Sequence, residues 1–512
     1  MPTTIDNLLS RMTLEEKIGQ MILASIEVSR MDAGTREFLR KNHIGNVILF
    51  GKNCAGRAAL AQLNAEIQHT VMAENGLPAL IAIDQEGGCV TRLRSEATVF
   101  PSAMVIARTG DPANAYKVGR MMGGELRALG INLDCAPVLD TLSGPAERRY
   151  YGQTVQSIAD YGCAMARGLR DAGVLACGKH FPGHEQTGAD THFGFVVDNT
   201  PRDTLMNSCL TPFCRAMSED LASVMVSHVC FPALDDTDTP CSMSAPVIQG
   251  VLRGQLGYQG LVISDGLQMH AILDQYGAPQ GCVQAALAGC DLLIIGNGGD
   301  NADPTGKDVQ TPCIRALCDA VADGTLPMAR VDESVRRILA CKLALGWTMP
   351  ARDAASQDWS NHAALADALA ETGVTVQDPH GLLPLPAGTL FIARASGTGT
   401  GVTEGDRITE SFAPLAARRL GGQCAVYHTV KELPELADVC AAVPAVVFAF
   451  GTRAAAQAAE ALAAHNPRFC AVCLAEPDSL QHYPFAASTV SAWDRTEPAM
   501  RAVCRALANP QI

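Results

Sequence analysis

The sequence predicts an α/β protein with two domains: an N-terminal (β/α)8 barrel of the TIM type, then a second, smaller α/β sandwich domain. Three observations predict it. Eight short apolar runs recur over about 300 residues, separated by segments whose apolar residues fall at three- and four-residue spacing. Apolar strands alternating with helices in this way mark a parallel sheet covered on both faces. Polar, titratable residues gather just after several of these runs, at the end of the strands where such a barrel carries its active site. Finally, 512 residues exceed one ordinary core, so two domains are expected.

Taken in order, Thr13-Leu14-Glu15-Glu16 reads as a capped helix start, with the glutamate three residues after the threonine. The candidate strands are Ile18 to Leu23, Asn46 to Phe50, Ala79 to Ile83, Ile131 to Ala136, Val174 to Cys177, Ala222 to His228, Gly260 to Ser264 and Asp291 to Ile295. Between them, Ala113 to Leu129 and Val283 to Ala288 have helical periodicity. Asp84, Asp140, the stretch Lys179 to His192, His228 and Asp265 all follow or end strands. An amphipathic helix, Val331 to Leu345, ends the barrel, and Pro350 to Asp358 is polar and irregular. The barrel is therefore assigned to residues 1–348, a linker to 349–362 and the second domain to 363–512. In that domain Leu390 to Ala393, Ala445 to Phe450 and Cys470 to Leu474 are strands between Ala-rich helices. Gly397 to Gly401 has the composition of a phosphate loop but no lysine, and reads as an ordinary loop.

Composition narrows the function. A formal charge of −14 disfavours nucleic acid and anionic membranes, which need a basic face. No apolar run reaches membrane-spanning length, and the N-terminal stretch lacks a basic segment before an apolar core, so no signal peptide is expected. Nineteen cysteines scattered through apolar segments suit free thiols in a reducing cytoplasm. Cys470 and Cys473 have redox spacing but sit in an apolar run.

The densest chemistry lies in Gly178 to Gly194, which holds three histidines, one lysine and two carboxylates in seventeen positions. Glycines and Pro182 break regular structure after Cys177, so a polar loop is expected to leave a buried strand. Asp190 and His192 stand two apart and project to one side of an extended loop. A carboxylate on one ring nitrogen fixes the tautomer and raises the basicity of the other, which makes a competent general acid/base. Asp265 ends a strand; such a carboxylate can be a nucleophile, a base, a metal ligand or a helix cap. Lys179 and His180 can donate to substrate oxygens or pair within the barrel mouth. A metal set of His180, His184 and His192 matches no zinc spacing, and no metal or cofactor is expected.

Together, Asp84-Gln85-Glu86-Gly87-Gly88, Lys179-His180-Phe181-Pro182-Gly183-His184, Asp190-Thr191-His192 and Ser264-Asp265 resemble glycoside hydrolase family 3, more closely its bacterial β-N-acetylglucosaminidase (β-N-acetylhexosaminidase) branch. The similarity extends from Leu14 to Leu385. It implies a retaining mechanism with a covalent glycosyl-enzyme. Asp265 matches the nucleophile, His192 the acid/base and Asp190 its orienting partner. The sugar-binding positions map to Asp84, Arg92, Lys179, His180 and Arg149, with Arg148 the rival for the last. The loop carrying His192 is expected to close over sugar and expel water. Four departures stand out: Glu185 and Cys89 replace the usual glycine and arginine, Thr191 a serine, and Gly266 an aspartate. Glu185 adds negative charge near the leaving group; Gly266 is expected to loosen the turn holding Asp265.

The resemblance implies an exo-acting β-N-acetylglucosaminidase releasing terminal N-acetylglucosamine from cell-wall muropeptide fragments in the cytoplasm. Alternatives are a phosphorylase, since a histidine acid/base does not repel phosphate as a carboxylate would, a β-glucosidase, and an inactive sugar-binding protein. The expected partner is a small carbohydrate, neither nucleic acid nor membrane. The second domain carries no residue of catalytic type and is expected to brace the barrel or to mediate homodimer contacts.

Overall fold

The structure, a computed structural model, describes residues 5–141, 149–183, 194–296, 308–395, 411–450, 455–474 and 477–510. Eight parallel strands form the first sheet: β1 (Ile22–Ser25), β2 (Asn46–Leu49), β3 (Leu80–Ile83), β4 (Leu133–Asp134), β5 (Leu175–Phe181), β6 (Ser223–Val226), β7 (Leu261–Ser264) and β8 (Leu293–Ile295). Their order is β8-β1-β2-β3-β4-β5-β6-β7, and a parallel bridge between Ile263 and Leu292 joins the two ends, closing the barrel. Most of these strands are buried along their whole length, the reason their sequences read as unbroken apolar runs rather than alternating ones.

Two strand expectations are corrected. Ile18 to Met21 form the last turn of the helix Leu14–Met21, and β1 begins at Ile22. That helix has the expected Thr13/Glu16 capping box and buries Ile18 and Met21 against the barrel; a short buried helical turn and a buried strand share the same apolarity. The fifth strand does not stop at Cys177. It runs on to Phe181, because Lys179 N donates to Pro137 O (3.1 Å) and Lys179 O accepts from Leu139 N (2.7 Å). Neighbouring strands supply the ladder partners that outvote the local break at Gly178.

The end of the barrel opposite the site is locked by charge. Asp291, fully buried just before β8, accepts from Arg253 (2.8 Å), Arg330 (2.8 Å) and Arg337 (3.1 Å). Nearby, Lys342 donates to Gln20 Oε1 (2.7 Å) and Gly45 O (2.9 Å), tying the helix Met328–Leu345 to the entrances of β1 and β2.

The second sheet has six strands: β9 (Thr375–Gln377), β10 (Leu390–Arg394), β11 (Gln423–Tyr427), β12 (Val446–Phe450), β13 (Phe469–Cys473) and β14 (Ser488–Ser491). Their order is β9-β14-β13-β12-β10-β11, parallel except for the edge strand β9. Separate apolar clusters pack on its two faces, one including the helices Phe412–Leu420 and Glu497–Ala508, the other Ala456–His465. The edge strands β9 and β11 and the inner strand β14 were not foreseen: the two edges are largely exposed, and the sequence of β14, Ser-Thr-Val-Ser, is mostly polar, so none of them makes a continuous apolar run. Cys470 and Cys473 lie buried in β13, and all nineteen cysteines are free thiols. The phosphate-loop-like Gly397 to Gly401 lies outside the described residues. The two sheets meet through specific polar contacts: Ser102 N donates to Asp494 Oδ2 (2.8 Å), and His362 Nδ1 meets the buried Glu125 Oε1 at 2.6 Å.

Candidate active site

The site is assembled at the C-terminal rim of the barrel. Asp84 follows β3 directly, and the chain then forms a short antiparallel ribbon, Gln85–Gly87 against Val90–Thr91. Its turn needs both glycines. Gly87 and Gly88 have φ of 87° and 59°, and a Cβ on Gly88 would stand 2.8 Å from Ser102. The ribbon folds Arg92 back over the strand end, where Gln85 Oε1 accepts from the backbone N–H groups of Arg92 (3.0 Å) and Leu93 (3.1 Å).

Lys179, from β5, enters this turn from below. Only 2 % exposed, its ammonium lies 2.7 Å from Asp84 Oδ1 and 2.6 Å from Glu86 Oε1. Arg149 grips Glu86 at two points, Nε to Oε2 at 2.8 Å and Nη2 to Oε1 at 2.6 Å. Arg92 Nη2 stands 3.6 Å from Asp84 Oδ2. Three cations thus share two carboxylates. Burial pushes the Asp84 carboxyl up, but the charges of Lys179 and Arg92 outweigh it and hold that carboxyl well below its ordinary range. The same contest at Glu86, against Arg149 and Lys179, holds it down at about 2. Burial pulls Lys179 down while Asp84 and Glu86 raise it above the ordinary lysine range, with the carboxylates prevailing. The cluster stays ionised at neutral pH, and its fixed charges can hydrogen-bond polar groups of a ligand at the rim.

His180, the next residue of β5, is fastened differently. Its backbone N–H and its ring Nδ1 each lie 2.7 Å from an oxygen of Asp140. A carboxylate only accepts, so Nδ1 is the donor in this pair.

Across the barrel, Asp265 follows β7. It is partly exposed between the buried residues Ser264 and Gly266. Its backbone N–H donates to Val226 O (3.1 Å), and its Oδ1 accepts from Gly266 N–H (2.7 Å). Gly266 O in turn accepts from Nε2 of the buried His228 (3.0 Å), whose Nδ1 meets Ser242 Oγ at 2.7 Å. The turn expected to be loosened by Gly266 is therefore hydrogen-bonded on both its N–H and its carbonyl.

The structure brings Asp84, Arg92, Arg149 and Lys179 into one cluster, and sets His180 and Asp265 on strand ends of the same rim. Asp190, His192, His184, Glu185, Thr191 and Arg148 lie outside the described residues. Sequence reasoning missed the parts played by Glu86 and Asp140. Glu86 had a readable signal: it stands two residues after Asp84 in an extended segment, hence on the same side. Asp140 was visible as a strand-end carboxylate, but its partner comes from the neighbouring strand and no spacing along the chain announces it.

A closed parallel barrel with this charged rim, and a strand-end carboxylate on the strand opposite, defines a barrel enzyme with a polar active site at its C-terminal face. The chain belongs to glycosyl hydrolase family 3: the model of that family's N-terminal domain matches residues 13–341. A beta-hexosaminidase of Nitrosomonas eutropha is 35% identical over 270 residues, 51% of this chain and 76% of the relative. Beta-hexosaminidase A of Pseudoalteromonas piscicida is 31% identical over 372 residues, 68% of this chain and 62% of the relative. Among solved structures, a family 3 β-N-acetylglucosaminidase from Paenibacillus sp. str. FPU-7 superposes with a TM-score of 0.88 at 32% identity, covering 97% of this chain and 96% of its own.

Proposed function

We propose that the protein is a retaining, exo-acting β-N-acetylglucosaminidase that hydrolyses terminal β-linked N-acetylglucosamine, with cell-wall fragments as its substrates. The observation that carries this reading is the opposition of the ionised cluster of Asp84, Arg92, Arg149 and Lys179 to the partly exposed Asp265. The names of the relatives and of the Paenibacillus structure support the sugar.

In this reading the cluster and His180 hold the terminal sugar by its hydroxyl and acetamido oxygens. A carboxylate oxygen of Asp265 attacks the anomeric carbon as the glycosidic C–O bond breaks. His192, oriented by Asp190, gives its proton to the departing oxygen, leaving a glycosyl-enzyme ester on Asp265. His192 then takes a proton from water, whose oxygen attacks the same carbon and frees Asp265. The Gly266 N–H on Asp265 Oδ1 orients the carboxylate for attack. Nineteen free thiols support a reducing compartment, the cytoplasm.

The test is a product assay. The protein is incubated with an aryl β-N-acetylglucosaminide, with and without phosphate, and the released sugar is resolved. Free N-acetylglucosamine at a rate independent of phosphate is expected. A phosphate-dependent sugar 1-phosphate would turn the reading to a phosphorylase, and cleavage of the aryl glucoside alone to a β-glucosidase.

A further inference from the structure

The second sheet changes its chemistry across its last two strands. Cross-strand register puts Ala471, Thr489 and Gln377 in one row and Cys473, Ser491 and Thr375 in the next. Ala471 and Cys473 belong to an apolar cluster covered by helices, yet the other members of each row carry hydroxyl or amide groups. The opposite face stays apolar to the edge, with Val472, Val490 and Val376 packed into the other cluster. The polar face is the floor of a cavity of about 730 Å3, within the range of about 300–1,000 Å3 usual for small-ligand sites.

The cavity has a wall from each half of the molecule. On one side the guanidinium of Arg108 lies over the ring of Trp493, 5.1 Å from its centroid. Among the described residues Arg108 has no carboxylate partner. On the other side stands the turn Pro477–His482, with Asp478 and Gln481. Arg108 ends the helix Ala103–Arg108, which backs the catalytic rim. A Cβ on Gly88 of the ribbon would lie 2.8 Å from Ser102, the cap of this helix, and one on Gly152, three residues after Arg149, would lie 3.6 Å from Ala107 Cβ. One wall of the cavity therefore extends from the scaffold of the candidate active site.

We propose that this cavity is a second carbohydrate-binding site, which takes sugar units of the substrate beyond the one held in the barrel. The inference rests on the proposed glycosidase reading. Each floor group both donates and accepts hydrogen bonds, as vicinal sugar hydroxyls require, and Arg108 adds fixed donors. One arginine and one aspartate leave the cavity without the excess of positive charge that a phosphate or a nucleic acid would call for. A neutral β-linked N-acetylglucosamine oligomer fits both features.

Two variants of the full chain test it, Arg108→Ala and the double variant Gln377→Ala/Thr489→Val. The readout is the ratio of kcat/KM for a β-linked N-acetylglucosamine tetrasaccharide to that for an aryl β-N-acetylglucosaminide. Loss of one or two hydrogen bonds predicts a fall of about tenfold in this ratio, carried by KM for the tetrasaccharide. An unchanged ratio in both variants overturns the proposal. If wild-type protein cleaves neither substrate, the glycosidase reading fails, and calorimetric binding of the tetrasaccharide decides the site separately. Binding weakened in both variants upholds it, and equal binding, or none to wild type, overturns it.

Discussion

Asp140 holds His180 by two hydrogen bonds of 2.7 Å, one to the backbone N–H and one to ring Nδ1. This carboxylate fixes both where the strand end lies and which ring nitrogen carries the proton. In Asp140→Asn the amide can turn only one oxygen toward these two donors. A charge-assisted hydrogen bond contributes about 1.5–3 kcal/mol, so kcat/KM on the aryl substrate should fall about ten- to hundredfold. Steady-state kinetics with a parallel melting curve separates this from unfolding; unaltered kinetics in a stable Asp140→Asn protein would remove His180 from the sugar site.

Glu86 sets an acid limit. Its carboxyl is held at about 2 against an ordinary 4.5. A carboxyl with a lower pKa in the folded than in the unfolded chain contributes stability that is fully present above 4.5 and is lost as pH falls toward 2. The shift corresponds to roughly 3 kcal/mol. Glu86→Gln should therefore be destabilised at neutral pH and lose less further stability than wild type between these two pH values. Denaturant titrations at pH 7, 4 and 2.5 measure this; parallel curves for the two proteins would refute it.

His228 holds the turn that carries Asp265 through Gly266. Replacing it with glutamine keeps a donor but moves it, and a displaced neutral hydrogen bond contributes about 0.5–1.5 kcal/mol. If Asp265 is the nucleophile we propose, the expected result is a loss of up to about tenfold in kcat with KM little changed, since a nucleophile serves the chemical step rather than binding. A change confined to KM would contradict this role.

At the opposite end of the barrel, Asp291 pairs with Arg253, Arg330 and Arg337, the last two of which also pair with Glu333. Asp291→Ala takes the buried carboxylate from three largely covered guanidinium groups and should cost about 3–5 kcal/mol of stability. Activity per folded molecule should persist, since the hub lies away from the rim. Chemical denaturation and an active-site titration check the two halves of this expectation.

Asp265→Ala and His192→Ala should each abolish turnover on an unactivated glycoside without unfolding the protein, and Asp190→Ala should lower it roughly a hundredfold, on the scale of general acid/base catalysis. A mechanism-based fluorosugar should label wild type on Asp265, as read by peptide mass. Wild-type turnover by Asp265→Ala would dismiss the nucleophile assignment.

The sequence by itself determined the barrel, the second domain and most of the rim. Buried parallel strands must be apolar throughout, and the residues following them stand out as polar; Asp84, Lys179, His180 and Asp265 are legible for that reason. Tertiary structure decided where strands stop and who pairs with whom. Lys179 and His180 extend β5 because Pro137 and Leu139, in the segment that follows β4, offer ladder partners to Lys179. Glu86 meets Arg149 across 63 residues of sequence, and His180 meets Asp140 across 40. Hydrogen bonds and ion pairs of that range leave no periodicity in the chain, since each depends on two distant segments arriving at one place. The polar floor of the second sheet arises the same way: Thr489, Ser491, Thr375 and Gln377 become one surface only when β9 and β14 align.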